Sequence, residues 1–178
     1  MDEASLLLRQ IPHSVEAEQS VLGAMLIDPR CIPNVVEQLT GEDFYLKPNR
    51  DIYETIYTMF SFSATIDPVT VLDQMKLRGV YDENTTSNYL LQLMEITPTS
   101  ANVMEYVAPT AANVSEYIRI VKDKALLRRI SETAGELTTL VQEGGETAQA
   151  VLDLAEQRIY AIRQGKSSQG LEPLSKIL

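Results

Sequence analysis

The sequence predicts an all-α fold: a compact helical head followed by a long antiparallel helical hairpin and a linker. Three observations carry that expectation. Apolar residues recur at helical spacing while strand-like alternation is scarce, and helix start and stop signals follow one another through residues 1–110. Proline-free stretches on both sides of Gly144-Gly145 are long enough for two extended helices.

The head reads as five helices. In HSVEAEQSVLGAMLID, Val15, Leu22, Met25 and Leu26 share a stripe, Ser14 can accept from the first free N–H groups, and Glu16 and Glu18 suit the positive helix end. Asp28-Pro29 stops this helix. A second is expected from Pro33 to Leu39, because proline is tolerated in a first turn. A third starts near Pro48 with a broad apolar stripe, Ile52, Ile56, Tyr57, Met59 and Phe60, which suits a helix central to the head. Asp67-Pro68 reads as N-cap and first residue of a fourth helix ending at Gly79, and TTSNYLLQLMEI makes a fifth after the turn-rich YDEN.

A duplicated phrase comes next. Pro98, Thr99, Ala101, Asn102, Val103, Glu105 and Tyr106 return eleven positions later as Pro109, Thr110, Ala112, Asn113, Val114, Glu116 and Tyr117. Pro109 excludes one continuous helix through both copies, so the chain is expected to break near Ala108, with an extra short helix before the hairpin. From Ala111 to about Glu143 no proline interrupts the helical pattern, and a second amphipathic stretch covers Glu146 to Gln164. Such a hairpin is too extended for a small head to cover, so part of its apolar surface must meet another chain. Leu140, Val141, Val151, Leu152, Ala155, Ile159 and Ile162 would supply that surface. GKSSQG is a flexible linker. LEPLSKIL is a short amphipathic stub with Leu174, Ile177 and Leu178 on one side.

Composition narrows the function classes. A chain of 178 residues fits one head with an arm and is too short for two full-sized enzyme domains. With 44% hydrophobic residues and a mean hydropathy of -0.09, a soluble protein is expected. No apolar run approaches the ~20 residues that a membrane span needs. MDEASLLLRQ is acidic with too short an apolar run for a secretory signal, which points to the cytosol. Cys31 and His13 are each single, so neither an internal disulfide nor a zinc set is expected, and Cys31 reads as a small apolar filler.

The net charge of -10 argues against a surface that grips nucleic acid throughout. One local exception is RIVKDKALLRR, where Arg119, Lys122, Lys124, Arg128 and Arg129 face the single acid Asp123. Its ordinary reading is a solvated helix face balanced by acids on the next helix, and its other reading is a weak contact with DNA through Arg119, Lys122, Lys124 and Arg128.

Catalytic signals are missing. No GxxxxGK[ST] or GxGxxG occurs, and Gly144-Gly145 is followed by Glu146 and so cannot cradle a triphosphate. Ser14 beside His13 marks a helix start rather than a nucleophile and base, and Glu42-Asp43 reads as a turn. No catalytic, cofactor-binding or metal-ligating residue is assigned.

IPHSVEAEQSVLGAMLID, EDFYLKPNRDIYETI, IDPVTVLDQMKLRG and PTAANVSEYIRIVKDKALLRR, in that order, resemble the N-terminal domain of bacterial DnaB-type replicative DNA helicases, from about Ile11 to Leu178. The resemblance implies a helical head (1–110), a hairpin that serves as an oligomerisation arm (111–164), and a linker with the start of a linker helix (165–178). It implies a non-catalytic collar whose hairpins pair into dimers, three dimers to a hexamer, and which docks the helicase-binding domain of primase. Leu126, Arg129, Leu140, Val141, Leu152, Ala155, Ile159 and Ile162 would form that interface, and Leu174, Ile177 and Leu178 would dock on a neighbouring motor. The family's ATP and Mg sites would lie beyond Leu178, so no ATP hydrolysis is expected of this chain. The family pattern has one P-T/S-A-A-N phrase, leaving eleven residues surplus here, and eleven is close to three helical turns. An alternative function is a stand-alone adaptor that mimics this domain and regulates a helicase ring.

Overall fold

The computed structural model describes residues 11–96 and 111–164, and among them it forms seven α-helices, two 3-10 turns and no strand. Helix α1 (Val15–Ile27) starts where Ser14 Oγ accepts from the Ala17 N–H at 3.3 Å. It ends at Asp28, whose carboxylate accepts from the Arg30 N–H and opens the 3-10 turn Pro29–Cys31. Helix α2 (Ile32–Gln38) begins one residue before the expected proline. In the turn Gly41–Asp43, the Asp43 carboxylate takes the Thr40 N–H at 2.8 Å.

Helices α3 (Lys47–Ser61) and α4 (Pro68–Leu77) each carry proline in the first turn. Asp67 Oδ1 accepts from the Val69 and Thr70 N–H groups while Thr70 Oγ1 takes the Asp67 N–H. This reciprocal cap fixes the start of α4, and Gly79, at φ +70, turns the chain after it. Helix α5 (Thr86–Ile96) completes the expected five. Helices α6 (Ala111–Glu143) and α7 (Ala148–Arg163) follow, with Gly144 at φ +68 after α6 and Thr147 Oγ1 accepting from the Ala150 N–H at the start of α7.

The most enclosed helix is α1, which packs against α5 and α3. Val21, Leu22, Met25 and Leu26 are buried, and so are Ala17, Ser20, Gly23 and Ala24. Those small residues let neighbours approach from several sides, so α1, not α3, is the centre of the head. Helix α3 buries Ile52, Ile56 and Met59 as its spacing predicts, but Tyr57 and Phe60 are exposed. Tyr53 is buried instead, donating its hydroxyl to the Leu39 carbonyl. Each fully buried Leu, Ile or Met contributes roughly 1.5–3 kcal/mol relative to exposure.

The chain divides into two compact units, with the boundary between Ala125 and Leu126 inside α6. The first unit holds the head core, and Val114, Ile118 and Val121 belong to it. Their i, i+4, i+7 spacing puts them on one stripe of α6, so the first turns of this helix are head, not free arm. The second unit is the hairpin proper, where Glu136 of α6 pairs with Arg158 of α7 at 3.5 Å. The first copy of the duplicated phrase with Pro109 and Thr110, the linker 165–178, and Leu174, Ile177 and Leu178 all lie outside the described residues.

Candidate protein-interaction surfaces

The hairpin unit leaves apolar side chains in water. On α7, Leu152 is 52% exposed, Ile159 is exposed and Tyr160 is 64% exposed. On α6, Leu126, Leu127 and Ile130 are exposed, and Val141 reaches 63%. Leu140 and Ala155 are half-buried, while Ile162 retains only 9% of its surface and is covered within its own chain. The structure therefore separates Leu152 and Ile159 from Ile162, which the sequence had placed together.

Leu127, Ile130 and Tyr160 were missed. A usable signal was present, because Leu127, Ile130, Ala134, Leu137 and Val141 follow alternating spacings of three and four, the period of a helix seam. On α7, Ala155, Glu156, Ile159, Tyr160 and Arg163 line an open hollow of about 350 Å³.

The basic run is less available than its composition suggests. Arg119 pairs with Glu116 and with Asp123 on its own helix, the latter at 3.5 Å. The Glu116 bond raises the Arg119 pKa, and the same bond lowers that of Glu116. Lys122 is exposed, Lys124 and Arg129 are half-buried, and Arg128 is buried at 7%. The four residues considered for DNA contact thus do not share one exposure.

A buried polar cluster ties the head helices together. Glu18 of α1 is 1% exposed and accepts from the Tyr45 N–H at 2.8 Å, the Leu46 N–H at 3.4 Å and Asn49 Nδ2 at 2.8 Å. Asn49 Oδ1 accepts in turn from the Tyr89 hydroxyl at 2.6 Å, which takes a bond from Gln19 Nε2 at 3.2 Å. Burial raises the Tyr89 pKa, partly offset by its hydrogen bonding with Gln19 and Asn49. Glu18 was expected to act on its own helix, yet it satisfies the first free amides before α3. Sequence spacing alone could not reveal that long-range partner.

Among the described residues no group of three or more His, Cys, Asp or Glu side chains could hold a metal, and no helix is long and apolar enough to cross a membrane. Cys31 is buried and free, and burial pushes its thiol up to about 11.

These features define an all-helical head-and-hairpin domain with apolar side chains left on the hairpin. The profile of the DnaB-like helicase N terminal domain matches residues 10–108, more than half of the chain, and the chain belongs to that family. It is 33% identical to the replicative DNA helicase DnaB of Mycobacterium leprae over 172 residues, covering 96% of this chain and 27% of that protein. It is also 33% identical to the replicative DNA helicase DnaB of Geobacillus stearothermophilus, covering 94% of this chain and 34% of that protein. The chain therefore spans about a third or less of these relatives.

The crystal structure of the N-terminal domain of DnaB helicase from Mycobacterium tuberculosis is similar at a TM-score of 0.73 and 34% identity, covering 85% of this chain and 99% of that one. The N-terminal domain of DnaB helicase from Helicobacter pylori, described with its interactions with primase, has the same fold at a TM-score of 0.56 and 18% identity, covering 80% of this chain and 99% of that one.

Proposed function

We propose that this chain works as the non-catalytic collar of a replicative DNA helicase, self-associating through its hairpin and docking primase in the cytosol. The carrying observation is the apolar surface left on the hairpin by Leu127, Ile130, Val141, Leu152, Ile159 and Tyr160. Contiguous exposed apolar side chains mark sites of contact with other chains. Pairing of identical hairpins would cover the same residues on both copies, as a two-fold interface requires. Three such dimers would make the collar of a hexamer, with ATP turnover left to a motor domain. The Helicobacter pylori domain supports the primase part of the reading, since that protein interacts with primase. Binding of single-stranded DNA should be weak, because Arg119 is doubly paired and Arg128 is buried.

Sedimentation velocity over a concentration series tests the association. Dimers and larger species are expected, and Leu152→Asp or Ile159→Asp should shift them to monomer by exposing the interface to an unpaired carboxylate. A monomer at every concentration would overturn the association. Calorimetry with the purified helicase-binding domain of the cognate primase tests the second part. Binding without ATP or DNA is expected, and its absence from an assembled oligomer would favour the adaptor function.

A further inference from the structure

A cavity of about 710 Å³ opens in the head between α1, the start of α3, Met75 of α4 and the segment leading into α5. Ile52 and Met75 are buried and form its apolar floor with Leu46 and Val80, while Asp82 and Gln92 are exposed at its mouth. That volume and that mixture of an apolar floor with a few polar groups suit a small organic guest.

The charges around the cavity select the guest. Among the described residues, Asp51 and Asp82 are its only charged lining residues. Asp51 is already bound to Lys47 Nζ at 2.6 Å. Lys76, beside Met75, lies over the Tyr81 ring at 4.8 Å. Asp82 differs, because it makes no ion pair among the described residues. Its Oδ1 accepts from the Asn84 N–H at 2.9 Å and from the Thr85 N–H and Oγ1 at 3.0 Å each. Those bonds, the Thr85 hydroxyl first, hold its pKa below the ordinary carboxylate value, so it is an anion at neutral pH. An anionic guest would find no cation among the described residues of the lining.

We propose that this cavity binds a ligand with an apolar body and one cationic head, an amine or a guanidine, its body over Ile52 and Met75 and its head at Asp82. The cation could belong to a free organic amine or to an arginine presented by a polypeptide, and two probe pairs distinguish these sources. The first pair is phenylbutylamine against the neutral phenylbutanol. The second is acetyl-Phe-Arg-amide against acetyl-Phe-citrulline-amide. Each is titrated into the full 178-residue chain, with amide chemical shifts followed by NMR.

The cationic member of at least one pair should shift Gln19, Met75, Val80 and Asn88, and should bind about 1.4-fold to fivefold tighter than its neutral partner, the range of an exposed ion pair. That preference should vanish in Asp82→Asn, which keeps an oxygen for the Asn84 and Thr85 bonds but removes the charge. Independently of any variant, it should fade in about 0.5 M salt. A preference only for the amine identifies a small-molecule source, and one only for the arginine peptide identifies a polypeptide source. Equal binding of charged and neutral members in both pairs, shifts confined to other surfaces, or a preference that survives salt would overturn the proposal.

Discussion

Asn49 donates its side-chain amide to the Glu18 carboxylate at 2.8 Å, both residues being almost wholly buried in the head. The bond joins the first turn of the most enclosed helix to the first turn of α3. Because Asn49 also accepts from Tyr89, the same amide connects α1, α3 and α5. A buried carboxylate is tolerated only while its oxygens keep such donors.

Replacing Asn49 by Leu should therefore destabilise the protein by about 1–3 kcal/mol, the range for leaving a buried polar group without its partner. Tyr89→Phe leaves the Glu18 bonds in place and removes one donor to Asn49, so about 1 kcal/mol is expected. Urea denaturation of the variants checks both values. A cost for Tyr89→Phe equal to that of Asn49→Leu would show that the cluster acts as one unit rather than as graded bonds.

The same cluster shows where sequence reading works and where it stops. Ser14 and Asp67 were legible as helix starts because a cap bonds to amides two or three residues away. The extent of α6 was legible because no proline falls between Ala111 and Glu143 and the pair Gly144-Gly145 closes it. Glu18 was not legible in its real role, since its partners Tyr45, Leu46 and Asn49 are distant in sequence. Tyr57 and Phe60 were placed inside by hydrophobicity alone, whereas the face of α3 turned to the core carries Tyr53 and Thr55. On the hairpin, Ile162 and Ile159 are three residues apart and equally apolar, and only the partner helix decides which is covered.

Cys31 gives a prediction about pH and reactivity. Its thiol is held at about 11 against an ordinary 9.0, chiefly by burial and secondarily by Asp28. The folded state thus keeps a proton that the unfolded state loses above pH 9, so this contribution is full below pH 9 and disappears as pH rises toward 11. At pH 8 iodoacetamide should label Cys31 only as fast as the protein opens, and urea should accelerate labelling. Rapid modification of the native protein would show a thiol far more accessible than its 3% exposure implies.

Two glycines should respond in opposite directions. Gly135 lies inside α6, and a Cβ built there meets nothing within 4 Å. Gly135→Ala should stabilise by about 1 kcal/mol, the helix-interior difference between the two residues. Gly144 sits at φ +68, where a Cβ is strained, so Gly144→Ala should cost about 1–2 kcal/mol. Thermal unfolding at low protein concentration checks both. If Gly135→Ala instead weakens self-association, a second chain approaches α6 at that point.

The duplicated phrase supplies the last prediction. Removing residues 98–108 joins Thr97 to Pro109 and leaves a single copy, ITPTAANVSEYIRIV, with both flanks unchanged. Leu93 in α5 and Val114 in α6, on either side of the deletion, are core residues, and both are kept. The remaining Thr97 and Thr110 can still offer oxygens to a helix start, with Pro109 tolerated in a first turn. Shortening a connection by eleven residues changes its closure entropy by only about 1 kcal/mol or less. The variant should therefore fold, unfold within about 4 °C of the parent, and sediment as the same species. An insoluble product, or one that has lost its oligomer, would show that the removed first copy has become part of the core or of the contact between chains.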